Sequence, residues 1–405
     1  MDTFRWTWND RVRQTGEKVA MPLFTTEEAE KVRAFHQTFD GYTPTPLRSL
    51  RNLAQHLGVG KLYVKDESYR FGLNAFKALG GSYAIGQYLA NRLGQDIGTL
   101  SFAELQSPEV KHELGSITFA SATDGNHGRG VAWSATQFGQ KSVIYMPKGS
   151  ADIRLENIRR AGATAQITDL NYDDTVRLMK KHAEINDWVL VQDTTWDGYE
   201  EIPSYIMQGY MTMVAEALEQ MQADGEDKPT HVFIQVGVGS IAGAVIGLLV
   251  NQFGEENPIT VIVEPTKADC HYRSAMTPSG QREYVTGSMD TIMAGLACGE
   301  PNPLSWSMIR DYSDMFISCP DFTAAHGMRL LGNPLGDDAR IISGESGAVT
   351  SGLASLLMRD ERLREARYKL GLNKDSIILV FNTEGDTDPE NYRQIVWDGA
   401  HPNHI

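Results

Sequence analysis

A chain of 405 residues exceeds one ordinary hydrophobic core, so two domains are the starting expectation. Hydrophobic residues at 41% and charged residues at 22% are those of a globular protein, and no apolar run is long enough to cross a bilayer, so no membrane partner is expected. A formal net charge of -15 from scattered acids excludes the clustered lysine and arginine of a nucleic-acid surface. The first residues, MDTFRWTWNDRVRQTGEK, lack the apolar centre of a secretion signal. Residues 1 to about 40 predict an arm and a short helix, TTEEAEKVRAFHQTF, broken by the prolines of GYTPTPLRSL. KLYVKDE predicts a strand and AFKALGGSYAIGQYLANRL an amphipathic helix with small residues early. QDIGTLSFAELQSPEVKHELGS is polar and irregular, a surface excursion. ITFASA, KSVIYMP, ATAQITD and WVLVQDT predict strands, separated by the helices HGRGVAWSATQFG, ADIRLENIRRAG and YDDTVRLMKKHAEIN, the second stopped by Gly162. A long helix follows in PSYIMQGYMTMVAEALEQMQ, then a strand, glycine turn and helix in HVFIQVGVGSIAGAVIGLLVNQF, a strand in ITVIVEP, and a last strand and polar loop in SIILVFNTEGDTD.

Short apolar strands alternating with helices predict parallel sheets covered on both faces. No internal repeat is present. Three cysteines give no disulfide framework, which points to a reducing cytoplasm, with Cys270 and Cys298 as buried or idle thiols.

Ligands of open α/β sheets sit beyond the carboxyl ends of strands, and four stretches put unusual residues there. In RFGLNAFKALGG, Lys77 stands among Phe71, Leu73, Phe76 and Leu79. An amine short of hydration is available to attack a carbonyl, although a helix lysine can also simply reach water. In SATDGNHGRG, Ser121, Thr123 and Asn126 offer hydrogen bonds around Gly125, at a helix start suited to a substrate carboxylate. Asp124 is out of place in an anion site and needs its own reason; the plain alternative is an Asp-Gly turn. In GVGSIAG, Gly237, Gly239 and Gly243 with Ser240 make a phosphate cradle. The same stretch fits the loose dinucleotide fingerprint, with Glu264 ending the next strand as a ribose acid, which describes a nicotinamide-dependent oxidoreductase. In NTEGDTD, Thr383 could bond a heterocycle nitrogen or belong to a polar exit loop.

Taken together and in this order, the four stretches resemble the fold-type II pyridoxal-phosphate enzymes, the group of threonine dehydratases, threonine synthase and the tryptophan synthase β chain. VKDESYRFGLNAFK, TDGNHGRGVAW, VIYMPKGSA, TIMAGLACGEPNPL and IISGESGAV are similar to the diaminopropionate ammonia-lyases within that group, from about residue 40 onward. A serine is expected before Thr383, where this chain has Asn382. The resemblance implies two doubly wound parallel-sheet domains, a large cofactor domain of residues 1–85 plus 196–405 and a small one of 86–195. It implies that Lys77 carries pyridoxal 5'-phosphate on its amine, with the small residues after it leaving room for the ring. Asn126 would bond the ring's 3-oxygen, Gly237, Val238, Gly239, Ser240 and Gly243 would surround the phosphate, and Thr383 would face the pyridine nitrogen. The implied reaction is α,β-elimination on D- and L-2,3-diaminopropionate, in a homodimer; no residue is assigned as a metal ligand. Ser121, Thr123, Asp124 and Asp193 would meet this small amino-acid substrate. Asp124 and Asp193 are the pair of acids, with Asp197 and Glu200 as substitutes for Asp193, which could also be a cap or turn. A serine or threonine dehydratase, the nicotinamide enzyme and a non-catalytic binding protein on the same fold stay open as alternatives.

Overall fold

The computed structural model describes residues 3–13, 18–123 and 125–403; Asp124 lies outside the described residues. The chain divides into two compact units, one of residues 1–25, 44–69 and 213–405, the other of residues 26–43 and 70–212.

The first unit is built on a seven-stranded sheet. Its strands are β1 (Arg5–Trp8), β2 (Leu47–Ser49), β3 (Lys61–Asp66), β8 (His231–Gln235), β9 (Ile259–Pro265), β10 (Met315–Cys319) and β11 (Ile377–Asn382), in the order β1-β10-β9-β8-β11-β3-β2. The five inner strands pair in parallel, and β8 and β10 are buried at every residue, as apolar strands covered on both faces must be. Both edge strands run antiparallel, so the doubly wound parallel sheet expected from the sequence holds only in the interior of this sheet. The register places Asn382 of β11 beside Asp66 of β3, and the Asn382 amide donates to the Asp66 carboxylate at 2.8 Å. The asparagine that replaces the expected serine thus ties two strand ends together.

The second unit holds a four-stranded, wholly parallel sheet in the order β6-β5-β4-β7, formed by β4 (Thr118–Ala122), β5 (Lys141–Met146), β6 (Thr164–Ile167) and β7 (Val189–Leu190). Helices α1 (Thr26–Gln37), α2 (Ala78–Arg92) and α3 (Asn126–Gln137) belong to it. A Cβ on Gly80 would lie 2.6 Å from the Tyr210 ring and 2.7 Å from Ile206, and one on Gly209 would lie 2.4 Å from the Leu79 carbonyl. A Cβ on Gly130 would meet the Lys77 carbonyl at 2.9 Å. The glycines after Lys77 therefore let helices approach closely. A valine at Gly80 must displace Tyr210 and Ile206, and Gly80→Val is expected to cost about 1–3 kcal/mol, read as a lowered urea midpoint.

The apolar residues before Lys77 are also accounted for by packing. Phe71 stacks on Trp133 with centroids 4.8 Å apart, in a cluster where Phe39 stacks on Phe102 at 4.3 Å. Phe71 and Asn74 hold left-handed backbone, φ 49° and 57°, which costs side-chain-bearing residues energy. The guanidinium of Arg129 donates to the Leu73 carbonyl at 2.8 Å and fixes the same loop. This strained, pinned segment delivers Lys77 to the start of α2.

Candidate active site

Lys77 sits at the N-cap of α2, next to the rings of Phe76 and Tyr210, 5.4 Å and 5.8 Å from its Nζ. The amine is not left in a purely apolar setting. It donates to Asp193 Oδ2 at 2.6 Å, and Asp193 is buried. Burial works against charge on the Asp193 carboxyl, but His127 and the Lys77 ammonium override it and hold the group down at about 2. His127 Nδ1 lies 3.8 Å from the same oxygen, while its Nε2 bonds the Val191 carbonyl at 2.8 Å. Burial lowers the His127 pKa, with the Asp193 charge pulling it back up. Burial also pushes the Tyr210 phenol well above its ordinary value, so at neutral pH it is a donor. Neither His127 nor Tyr210 was singled out from the sequence. His127 was visible in the NHG of the α3 loop, whereas nothing local marks Tyr210, which lies in the middle of a long helix.

Asp193 is placed by its neighbour. Gln192 Nε2 donates to the Ala122 carbonyl at 2.9 Å, and its Oε1 accepts from the Ala122 N–H at 3.0 Å. The side chain thereby continues the β4–β7 pairing past the end of β7. Ser121 Oγ donates to the same Oε1 at 3.1 Å, and Thr123 Oγ1 accepts from the N–H groups of Gly125 and Gly128 at 3.0 and 3.1 Å. Both hydroxyls bond the protein's own frame, and Asn126 opens α3 directly beyond them. Asp197 and Glu200, the substitutes for Asp193, are exposed.

The phosphate-loop candidates lie in the first unit. Helix α4 (Ser240–Phe253) starts with Gly239 at its N-cap, φ 107°, and no side chain caps it. A Cβ on Gly239 would lie 2.6 Å from Ser305 Oγ and 2.8 Å from His271 Nε2, and one on Gly237 would lie 3.0 Å from the Gly295 carbonyl. Asn302 braces the loop: its N–H donates to the Val238 carbonyl at 2.8 Å and its amide to Ser240 Oγ at 3.0 Å. Gly243 falls within the first turn of the helix, its N–H bonded to the Gly239 carbonyl at 2.9 Å. A tight glycine turn opening a helix that lacks a side-chain cap is a fit for one phosphate group. Gly239→Ala is expected to strain the turn and weaken cofactor affinity at least tenfold, measured by equilibrium dialysis. Thr383 is buried just past β11 and accepts from Gln235 Nε2 at 3.0 Å.

Glu264, the acid of the nicotinamide alternative, is committed elsewhere. Its carboxylate accepts from the N–H groups of His271 and Tyr272 at 2.9 and 2.7 Å and from His271 Nδ1 at 2.9 Å. It holds the start of helix Cys270–Met276 and is fully buried, so it has no place for a ribose. Within the donor group of Glu264, Cys270 and His271, these bonds join Glu264 to His271, and Cys270 Sγ lies 3.8 Å from Glu264 Oε1. Cys270 Sγ lies 3.6 Å from the Cys298 carbonyl; all three cysteines are free thiols, and burial raises those of Cys270 and Cys319.

The family model described as pyridoxal-phosphate dependent enzyme matches residues 38–375. The chain is 51% identical to the diaminopropionate ammonia-lyase of Salmonella typhimurium, over 98% of this chain and 99% of that one. It is similar to the crystal structure of the Escherichia coli diaminopropionate ammonia lyase in complex with D-serine, with a TM-score of 0.91, 51% identity and coverage of 99% and 98%. The same Escherichia coli enzyme in complex with an aminoacrylate-PLP azomethine reaction intermediate gives a TM-score of 0.90 at 52% identity, with 98% of each chain covered. No helix among the described residues is long and apolar enough to cross a membrane.

Proposed function

Because the chain belongs to the pyridoxal-phosphate-dependent enzymes and, within them, to the diaminopropionate ammonia-lyases, we propose that it converts 2,3-diaminopropionate and water to pyruvate and two ammonia. Its cofactor is pyridoxal 5'-phosphate, which when bound supplies an electron sink for the charge left at the substrate's α-carbon. The observation that carries the reading is the 2.6 Å contact between Lys77 Nζ and Asp193 Oδ2, an amine and a buried carboxylate able to pass a proton between them.

Lys77 takes the cofactor on its amine and Asn126 bonds the 3-oxygen. Gly237, Val238, Gly239, Ser240 and Gly243 surround the phosphate, and Thr383 meets the ring nitrogen. Ser121 and Thr123 shape the loop that receives the substrate carboxylate. Asp193 removes the α-proton from its side of the substrate. Asp124, in the TDGNHG loop, serves the opposite side and helps keep the β-amino group protonated, the form in which an amine can leave. The eliminated 2-aminoacrylate reacts with water to give pyruvate and the second ammonia. A cytoplasmic homodimer completes the proposal, with sedimentation velocity as its check.

The test is release of pyruvate and ammonia from D- and L-diaminopropionate, compared with serine and threonine. One pyruvate and two ammonia per diaminopropionate consumed is the expected stoichiometry. Faster turnover of serine or threonine would make the chain a hydroxy-amino-acid dehydratase.

A further inference from the structure

We propose that Gln235 is a positioning residue that sets which way the Thr383 hydroxyl presents its hydrogen, and so keeps the cofactor's ring nitrogen unprotonated. The inference rests on the reading that Thr383 faces that nitrogen. Gln235 is the last residue of β8 and Thr383 the first after β11, and these strands are neighbours in parallel register. Both side chains are buried, at 1% and 5% exposure, so neither is averaged by solvent.

The orientation of the Gln235 amide is fixed by its partners. Nε2 lies 2.9 Å from the Phe381 carbonyl oxygen and 3.0 Å from Thr383 Oγ1. A carbonyl can only accept, so the end of the amide facing β11 is the NH2 group. Its two hydrogens are then used, one on each oxygen. The amide oxygen of Gln235 meets no donor among the described residues, so nothing favours the reversed orientation.

The direction of one hydrogen bond fixes the next. Thr383 Oγ1 accepts from Gln235, so its own hydrogen is turned away from that residue, and no described residue accepts it. A neutral pyridine nitrogen has one lone pair and takes this hydrogen. A pyridinium N–H would need Oγ1 to accept a second time and would leave the buried hydroxyl hydrogen without an acceptor. Gln235 thus disfavours the protonated ring through a neighbour and without a charge. It also stands two residues before Gly237, so the end of one strand carries both the phosphate loop and the group that orients the ring-nitrogen contact.

The experiment is ¹⁵N NMR of the holoenzyme loaded with pyridoxal phosphate labelled at the ring nitrogen, at neutral pH. The wild-type signal is expected at the position of an unprotonated pyridine. Gln235→Met keeps the length of the side chain and removes both donors; its signal is expected to move toward the pyridinium position. Gln235→Glu in its protonated form has one hydrogen, which the Phe381 carbonyl takes, and an oxygen that accepts the Thr383 hydrogen. The hydroxyl then turns a lone pair to the ring, and the shift is expected to be larger still. A protonated ring in the wild type, or an unmoved signal in both Gln235 variants while Thr383→Val moves it, overturns the role of Gln235 and leaves the Thr383 assignment standing. A signal unmoved in Thr383→Val as well removes Thr383 from the ring nitrogen, and the inference falls with it.

Discussion

Lys77→Ala is expected to abolish turnover of diaminopropionate, by on the order of 10⁴-fold or more, the scale on which enzymes lose rate when a covalent nucleophile is removed. It should also remove the cofactor label that borohydride fixes to the chain. Depth of burial alone would select a different lysine. Lys65 is completely buried on β3, whereas the Lys77 side chain keeps 20% of its surface accessible. Lys65 is locked by Glu216 at 2.7 Å, the Thr45 carbonyl at 2.7 Å and Gln220 at 2.9 Å, so its amine has no freedom to exchange partners. Lys77 stands at a helix start with a proton acceptor 2.6 Å away. Lys77→Arg separates chemistry from folding, because it keeps a cation opposite Asp193 but cannot take the label. Peptide mapping of the reduced wild-type enzyme should give the segment around Lys77, and a label on Lys65 would reverse the assignment.

The strands and helices that carry the site follow local periodicity, and so they were legible. KLYVKDE forms β3, ITFASA contains β4, HVFIQ is β8 and SIILVF leads into β11; the last three carry predicted site residues at or within two residues of the carboxyl end, whereas Lys77 lies eleven residues past the end of β3. The helix after Lys77 begins at the next residue. Three strands were missed for different reasons, β2 because it is three residues long and directly follows the prolines of TPTP. β1 lies in the polar-looking arm, where only its antiparallel pairing with β10, Arg5 to Ser318, makes it a strand. β10, with sequence MFISC, is only five residues long and was missed although Pro320 follows it directly. The excursion after α2 is polar but not irregular. Ser101 and Glu104 form a capping box on helix Phe102–Leu105, and Ser107 caps Pro108–Leu114.

The site itself was legible in its residue types and less so in its contacts. The glycines near Lys77 signal small volume in the sequence, but a sequence does not say which side chains pack against them; at Gly80 these are Tyr210 and Ile206, from more than a hundred residues away. Glu264 ends a strand as a ribose-binding acid would, yet its lone pairs are spent on the backbone of the helix that follows. Tyr210, Gln192 and Gln235 act through partners that are distant in the chain, and no local pattern marks such residues.

Asp193→Asn is expected to lower kcat/KM for L-diaminopropionate by about 10²–10⁴-fold, the usual contribution of a general acid or base, and to lower it clearly less for the D isomer. The carboxylate faces Lys77 at 2.6 Å, and that cation, with His127, holds its pKa at about 2. A base of that pKa is weak at neutral pH. Burial, however, is the largest influence on this carboxyl and acts in the opposite direction. Once the Lys77 amine is no longer a neighbouring cation, one of the two charges that hold the carboxyl down is gone, burial weighs more against His127, and the carboxylate becomes a stronger base, at the moment when an α-proton has to be taken. The two isomers present that proton on opposite sides, so a single carboxylate on one side cannot serve both equally. Asp124→Asn is the complementary variant, with the larger loss expected on the D isomer. Retained cofactor absorbance and an unchanged thermal midpoint in both variants would separate lost proton transfer from lost structure. Equal losses on both isomers in both variants would mean that the acids act together, as holders of the departing ammonium, and would end the division by stereochemistry.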